Sequence, residues 1–210
     1  MPFHIKVIFN LMSFPFEKTF RRRLAAVLPP ETAERVLRAA NTCYGSQLST
    51  SPGLRTSPRM AKQVLPMLAL YQALTQGEVL EPAAALRLLE PVFLETYFGT
   101  LRHGLLLFSQ AINKLPVQPF SLLRSSLRRM CLAEEGTDPV IIDDSQQKLI
   151  VHCRRCPILE ALRADGAPEL TSLFCASDDL LASALPRIRW LRSTTLAQGG
   201  EFCDFHWERG

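Results

Sequence analysis

The stretch that decides the fold is residues 187–207, which read R-I-R-W-L-R-S-T-T-L-A-Q-G-G-E-F-C-D-F-H-W. Arg187–Leu196 alternates between apolar and polar residues, and this period of two is typical of a strand. Gln198-Gly199-Gly200 predicts a turn, because glycine adopts backbone conformations that other residues avoid. Glu201–Trp207 is expected to return as the final strand. The segment therefore predicts two neighbouring strands joined through a glycine turn.

A second pair of strands and two helices are predicted upstream of this segment. Val140-Ile141-Ile142 is β-branched, and another β-rich run follows over Lys148–Cys153, which together predict a hairpin. Helices are expected over Cys156–Ala164, with a proline in the first turn, and over Pro168–Ala184. The order strand, strand, helix, helix, strand, strand predicts an α+β fold, with an antiparallel sheet and helices packed on one face.

The N-terminal half has helical periodicity instead. We expect a helical subdomain over residues 1–133 and an α+β subdomain over residues 140–210, together forming one compact unit. Pro91 is placed to begin a helix, which predicts a short helix over 82–89 and a long one over 91–114. Gly45–Pro58 is rich in serine, threonine, glycine and proline and predicts a long surface loop. Residues 1–14 fit either a short strand or a loose tail.

Composition limits the classes of protein to consider. The chain has 210 residues, of which 47% are hydrophobic and 21% charged, as in an ordinary soluble globular protein. Its net charge of +4 is dispersed and accompanies no nucleic-acid-binding signature, so we expect no nucleic-acid partner. No run approaches the ~20 apolar residues that span a bilayer, so we expect no membrane association. Six cysteines are too few for a disulfide scaffold, which favours a reducing compartment, the bacterial cytoplasm.

Cysteine and aspartate recur together in the last third of the chain. Cys175 and Asp178 are three apart on a predicted helix and therefore share a face. Cys203 and Asp204 are neighbours on a predicted strand, so their side chains point to opposite faces. Cys156 begins a predicted helix, where free N–H groups lower the pKa of a thiol. On this reasoning Cys175, with a carboxylate on its own face, is the preferred nucleophile.

The order of four short motifs resembles the L-2-amino-thiazoline-4-carboxylic acid hydrolase family. The motifs are C-P-x-x-E-A from Cys156, F-C-x-x-D around Cys175, T-T-L at residues 194–196 and G-G-x-x-C-D-F from Gly199. The resemblance covers residues 151–207, and we find none in the N-terminal half. The family's last motif usually continues with arginine, whereas this chain has His206.

The resemblance implies a cyclic amidine hydrolase that opens a 2-aminothiazoline ring, acting on a C–N bond, with no cofactor and with a small molecule as partner. A thiolate attacks the amidine-like carbon, a carboxylate carries protons, and water completes the hydrolysis. The residues implied in catalysis are Cys175, Asp178 and Cys203. Those implied in substrate binding are Cys156, Arg192, Thr195, Asp204 and His206.

Other interpretations of the same residues stay open. A non-catalytic small-molecule-binding or metal-binding module on the same scaffold is the main alternative, and an assembly partner is a weaker one. The soft ligands available to a metal are His152, Cys153, Cys156, Cys175, Cys203 and His206. We expect no metal, because a lone C-x-x-C is weak evidence without a second one. Homo-oligomer formation is also left open.

Overall fold

The computed structural model describes residues 14, 17–50, 58–114, 118–134 and 136–210. Within these ranges the chain divides into two compact units, one up to Phe98 and one from Gly99 onward. The ambiguous segment 1–14 lies outside the described residues except for Phe14. The subdomain boundary near residue 134 stays a prediction.

The first unit is helical, as predicted. Its core is built from apolar side chains that are almost completely buried, among them Phe20, Val36, Leu68 and Phe93. The described helices that begin in it are α1 (Glu17–Ala25), α2 (Pro30–Thr50), α3 (Pro58–Thr75) and α4 (Pro82–Asn113).

Two predictions about these helices are wrong. The first part of the predicted loop from Gly45 is the last turns of α2, and the rest of that loop, residues 51–57, lies outside the described residues. Tyr44 and Gln47 are buried there, and Gln47 Nε2 donates to Gln72 Oε1 of α3 at 2.6 Å, so packing overrides the loop-like composition. The two helices predicted around Pro91 are one helix, α4. Leu89, Val92 and Phe93 are buried beside the proline, and their packing offsets the lost hydrogen bond.

The second unit contains a four-stranded antiparallel sheet in the order β1-β2-β4-β3, as far as the described residues show. This confirms the predicted α+β fold. The strands are β1 (Pro139–Asp144), β2 (Lys148–Cys153), β3 (Ile188–Leu191) and β4 (Cys203–Arg209). The helices are α5 (Pro119–Ala133), α6 (Pro157–Ala164) and α7 (Thr171–Ser183), and a 3-10 turn over Pro168–Leu170 leads into α7.

One face of the sheet forms the core of this unit. Leu149 lies opposite Trp207, and both are buried with Val151 of β2. Phe120 of α5 packs into the same cluster, and Cys203 lies at its edge. Alternate residues of β2 and β4, such as His152 and Asp204, therefore point to the opposite face of the sheet.

β3 is shorter than the strand predicted over Arg187–Leu196. The chain leaves the sheet after Leu191, because the backbone N–H and hydroxyl of Ser193 bind the carboxylate of Asp204. The following residues form a loop with a 3-10 turn over Leu196–Gln198 that leads back to β4. None of the helices in the described part of the chain is long and apolar enough to cross a membrane.

Candidate functional site

Cys175 and Asp178 both lie on α7, and Arg192 connects this helix to the end of β3. Arg192 Nη1 donates to the carbonyl oxygen of Cys175 at 3.2 Å, and Nη2 donates to Asp178 Oδ2 at 3.2 Å. The Nε atom of Arg192 is 3.4 Å from Asp179 Oδ1. A planar guanidinium suits such a task because it presents several donors in fixed directions.

Aromatic side chains hold Arg192 in this position. Its guanidinium carbon lies 5.0 Å from the ring centre of Trp190 and 5.3 Å from that of Phe205, within the range of cation–π attraction. Trp190 Nε1 also donates to Asp179 Oδ1 at 2.9 Å. Only 9% of the Arg192 side chain is exposed. Its charge is therefore fixed close to α7, where Nη1 and Nη2 each donate a hydrogen bond.

Asp178 combines a crowded environment with access to solvent. Burial by surrounding protein atoms raises the pKa of Asp178 to about 6, while Arg192 acts in the opposite direction. The side chain nevertheless keeps 43% of its surface exposed, so a small molecule can reach the carboxylate. A carboxyl group that titrates near neutral pH is suited to proton transfer.

Cys156 and Cys203 each receive a backbone N–H. Cys156 is the N-cap of α6, and its Sγ accepts the N–H of Leu159 at 3.4 Å. Cys203 Sγ accepts the N–H of Leu196 at 3.4 Å. Burial raises the pKa of both thiols, and these N–H groups partly oppose it because they stabilise the thiolate.

The thiols of Cys156, Cys175 and Cys203, which we call the thiol cluster, share one electrostatic environment. Burial raises the pKa of Cys175 to about 12; Arg192 lowers this pKa, and the other two thiols and Asp178 raise it. Cys203 likewise feels the charges of Arg192 and Asp178. Of the residues identified from the sequence, Cys156, Cys203, Asp178 and Arg192 therefore all lie within electrostatic range of Cys175.

The other three residues implied in substrate binding have partners elsewhere. Asp204, on the opposite face of the sheet, is 6% exposed, and its Oδ2 accepts both the N–H and the hydroxyl of Ser193. His206 is on that face too, with Nε2 3.0 Å from Glu208 Oε1. Thr195 is 3% exposed, and its hydroxyl accepts the N–H of Gln198 at 3.2 Å.

Several residues of this region were not identified from the sequence. Asp179 and Trp190 hold Arg192, while Ser193 anchors the loop. Phe202 stacks on His152, a residue considered above only as a metal ligand, with ring centres 3.8 Å apart. No short motif marks such contacts, because they join residues through the fold of the sheet and not through fixed spacing. Across the described ranges, no three His, Cys, Asp or Glu side chains are grouped so that they could hold a metal ion.

Comparison with known proteins extends the resemblance well beyond the last third of the chain. Residues 59–207 match the family model of L-2-amino-thiazoline-4-carboxylic acid hydrolase. The expectation that the likeness is confined to residues 151–207 is therefore wrong, and the reason is that helical segments carry apolar periodicity instead of recognisable motifs. Neither the curated proteins nor the solved structures include a significant match. Since the matched segment covers most of the chain and contains the whole thiol cluster with Asp178 and Arg192, the protein belongs to the L-2-amino-thiazoline-4-carboxylic acid hydrolase family.

Proposed function

We propose that this protein hydrolyses a small cyclic amidine of the 2-aminothiazoline-4-carboxylate type, with Cys203 as the nucleophile. One observation carries the proposal: Cys175 lies within electrostatic range of two further thiols, of a carboxyl group whose pKa burial raises to about 6, and of an arginine whose side chain is 9% exposed. A ring carbon bonded to nitrogen and sulfur is electrophilic, and such a carbon calls for a thiolate and a proton carrier.

The environments of the thiols favour Cys203 over Cys175. The N–H of Leu196 and the charge of Arg192 both lower the pKa of Cys203 against the effect of burial. For Cys175 burial takes the pKa to about 12 even though Arg192 lowers it there as well, so the Leu196 N–H on Cys203 Sγ is what distinguishes the two thiols. The nucleophile must ionise to a thiolate. Cys203 therefore replaces Cys175, which the sequence pattern favoured, as the proposed nucleophile.

Asp178 is proposed as the proton carrier. With a pKa of about 6 it is mostly ionised at neutral pH and is able to accept a proton or to hold a protonated amidine. A protonated amidine bound beside Asp178 would also stabilise the thiolate of Cys203 through its positive charge. Arg192 keeps the carboxylate oriented through the bond from Nη2, and Asp178 in turn raises the pKa of the Cys156 thiol.

The proposed reaction balances in two steps. The Cys203 thiolate forms a bond to the amidine carbon, the ring carbon–sulfur bond breaks, and the freed sulfur takes a proton. Water then adds to the same carbon, the bond to Cys203 breaks, and the product is an N-carbamoyl-cysteine. Both nitrogens stay on the carbon, so this route cleaves the carbon–sulfur bond of the ring, whereas the family resemblance implied cleavage of a carbon–nitrogen bond.

Single serine variants of the three cysteines test the assignment. We expect Cys203→Ser to fold and to lose several orders of magnitude in ring opening, because serine is a poor nucleophile without a paired base. Cys175→Ser and Cys156→Ser should keep most of the activity. Product formation is followed chromatographically, and intact mass after brief mixing with substrate shows whether an adduct forms.

Three outcomes would contradict this assignment. If Cys175→Ser is inactive while Cys203→Ser turns over normally, the nucleophile is Cys175. If all three variants stay active, covalent thiol catalysis fails, and water activated by Asp178 becomes the leading mechanism. If the wild-type protein binds cyclic amidines in calorimetry but opens none of them, it is a non-catalytic binding module.

A further inference from the structure

The loop between β3 and β4 is anchored at its base by Asp204. Asp204 Oδ2 accepts the Ser193 hydroxyl at 2.7 Å and the Ser193 N–H at 3.2 Å. The backbone N–H of Asp204 donates to the carbonyl oxygen of Thr194 at 3.1 Å. Its carboxylate is almost completely buried, so these bonds are shielded from competing water. Two consecutive residues of the loop are thus tied to one residue of β4.

A 3-10 turn over Leu196–Gln198 follows the two anchored residues. Thr195 caps the 3-10 turn through its hydroxyl and its carbonyl oxygen, which accept N–H groups of Gln198 and Gly200. Gly199 has a φ of 85°, in the left-handed region. The turn aims the N–H of Leu196 at Cys203 Sγ, 3.4 Å away.

We propose that Asp204 is a positioning residue for Cys203: by holding Ser193 and Thr194 it keeps the Leu196 N–H on Sγ and so favours the thiolate. The carboxylate acts through the backbone of the loop, since it lies on the opposite face of the sheet from the sulfur. The catalytic consequence rests on the proposed function, whereas the effect on the thiol does not require turnover.

Other charged and titratable groups lie near Asp204 and Cys203, and their effects on the Cys203 thiol must be distinguished from the effect of Asp204. Arg192, just after the end of β3, and Asp178 of α7 act on Cys203, and the thiols of Cys153 and Cys156 lie near it. On the other face, His152 Nε2 is 3.6 Å from Asp204 Oδ1. If Asp204 acted only as a negative charge, removing it would make the thiolate of Cys203 easier to form. If Asp204 is instead a positioning residue, removing it should make the thiolate of Cys203 harder to form.

The test is the pH dependence of iodoacetamide alkylation, resolved for each cysteine by peptide mass spectrometry. In Asp204→Ala we expect the apparent pKa of Cys203 to rise by about one unit, which lowers its alkylation rate at neutral pH about tenfold. Cys156 should keep its wild-type profile. Asp204→Asn should retain most of the alkylation rate of Cys203, because its amide oxygen can still accept both hydrogen bonds from Ser193.

Two further variants keep the test decisive if Asp204→Ala does not fold. Ser193→Ala should raise the pKa of Cys203 in the same direction by a smaller amount, because it removes only the hydroxyl bond. Ser172→Ala, which removes an exposed hydroxyl bond in the first turn of α7, is the matched control and should change nothing. Unchanged or faster alkylation of Cys203 in Asp204→Ala and Ser193→Ala would overturn the proposal. Inactive wild-type protein with the expected alkylation shifts would instead refute only the proposed function.

Discussion

The Arg192→Met substitution should move the titration of Asp178 to higher pH. In the wild-type protein burial raises the pKa of Asp178 to about 6, and Arg192, whose Nη2 is 3.2 Å from Asp178 Oδ2, holds it down. Methionine has a similar length and keeps the packing against Trp190 and Phe205, but it removes the charge. Burial and the negative charges of Glu134 and Asp179, which all raise this pKa, then act without opposition from Arg192.

The expected size of the shift follows from geometry. A cation within hydrogen-bonding distance lowers the pKa of a carboxyl group by about 1–3 units, and the 43% exposure of Asp178 favours the lower end. A pKa of about 7 in the variant would reduce the ionised fraction at pH 6 about fivefold. The acidic limb of the pH–rate profile should therefore move up by about one unit.

Stability should change with pH in a direction that checks the same shift. The pKa of Asp178 is raised in the folded state, so the folded protein binds this proton more tightly than the unfolded chain. The resulting stabilisation is present at low pH and is lost as the pH rises through about 6. In Arg192→Met the loss should extend to higher pH.

The assay is the pH–rate profile of ring opening, with carboxyl NMR titration of Asp178 as a readout that needs no turnover. Arg189→Met is the matched control, because Arg189 lies on β3, three residues before Arg192, but pairs with Glu208 and is 64% exposed. It should leave the profile unchanged. An Asp178 titration that stays near pH 6 in Arg192→Met, or that moves equally in Arg189→Met, would refute the reasoning.

Two stability predictions concern the sheet and its loop. Gly200→Ala should lower the free energy of unfolding by about 1–3 kcal/mol, because a Cβ there would clash with the hydroxyl of Thr194. Gly45→Ala, where a Cβ meets nothing within 4 Å, should not destabilise the protein, and equal losses in the two variants would contradict the close approach at Gly200. Leu149→Ala should lower the free energy of unfolding by about 2–5 kcal/mol, because the side chain is fully buried. Ile142→Ala, at a 53% exposed position, should change stability by less than about 0.5 kcal/mol, and urea denaturation compares the two.

The strands were predictable because their signals are local. Val140-Ile141-Ile142 and Lys148–Cys153 lie on either side of a short turn, and the glycines at 199 and 200 mark the return of the chain to β4. The helix start predicted at Pro91 is wrong, since the sequence around this proline suits a helix start as well as a packed helix interior. The extension of α2 through Gln47 depends on a hydrogen bond to another helix, which no pattern within α2 reveals.

The candidate site was predictable only in part, for a similar reason. Helical spacing places Cys175 and Asp178 together, and strand alternation separates Cys203 from Asp204. The arginine that connects α7 to β3 was recognised, but its burial and its bonds to α7 were not. These depend on the packing of a helix against a sheet, and the relative ease of ionisation of the three thiols depends on the same packing.

The position of β4 has a consequence for how the sheet assembles during synthesis. β4 lies between β2 and β3, although it comes after both in the sequence. A nascent chain that has not yet reached Cys203 therefore exposes unpaired edges on two strands at once. A chain that is stalled or truncated before that point is therefore expected to be prone to aggregation.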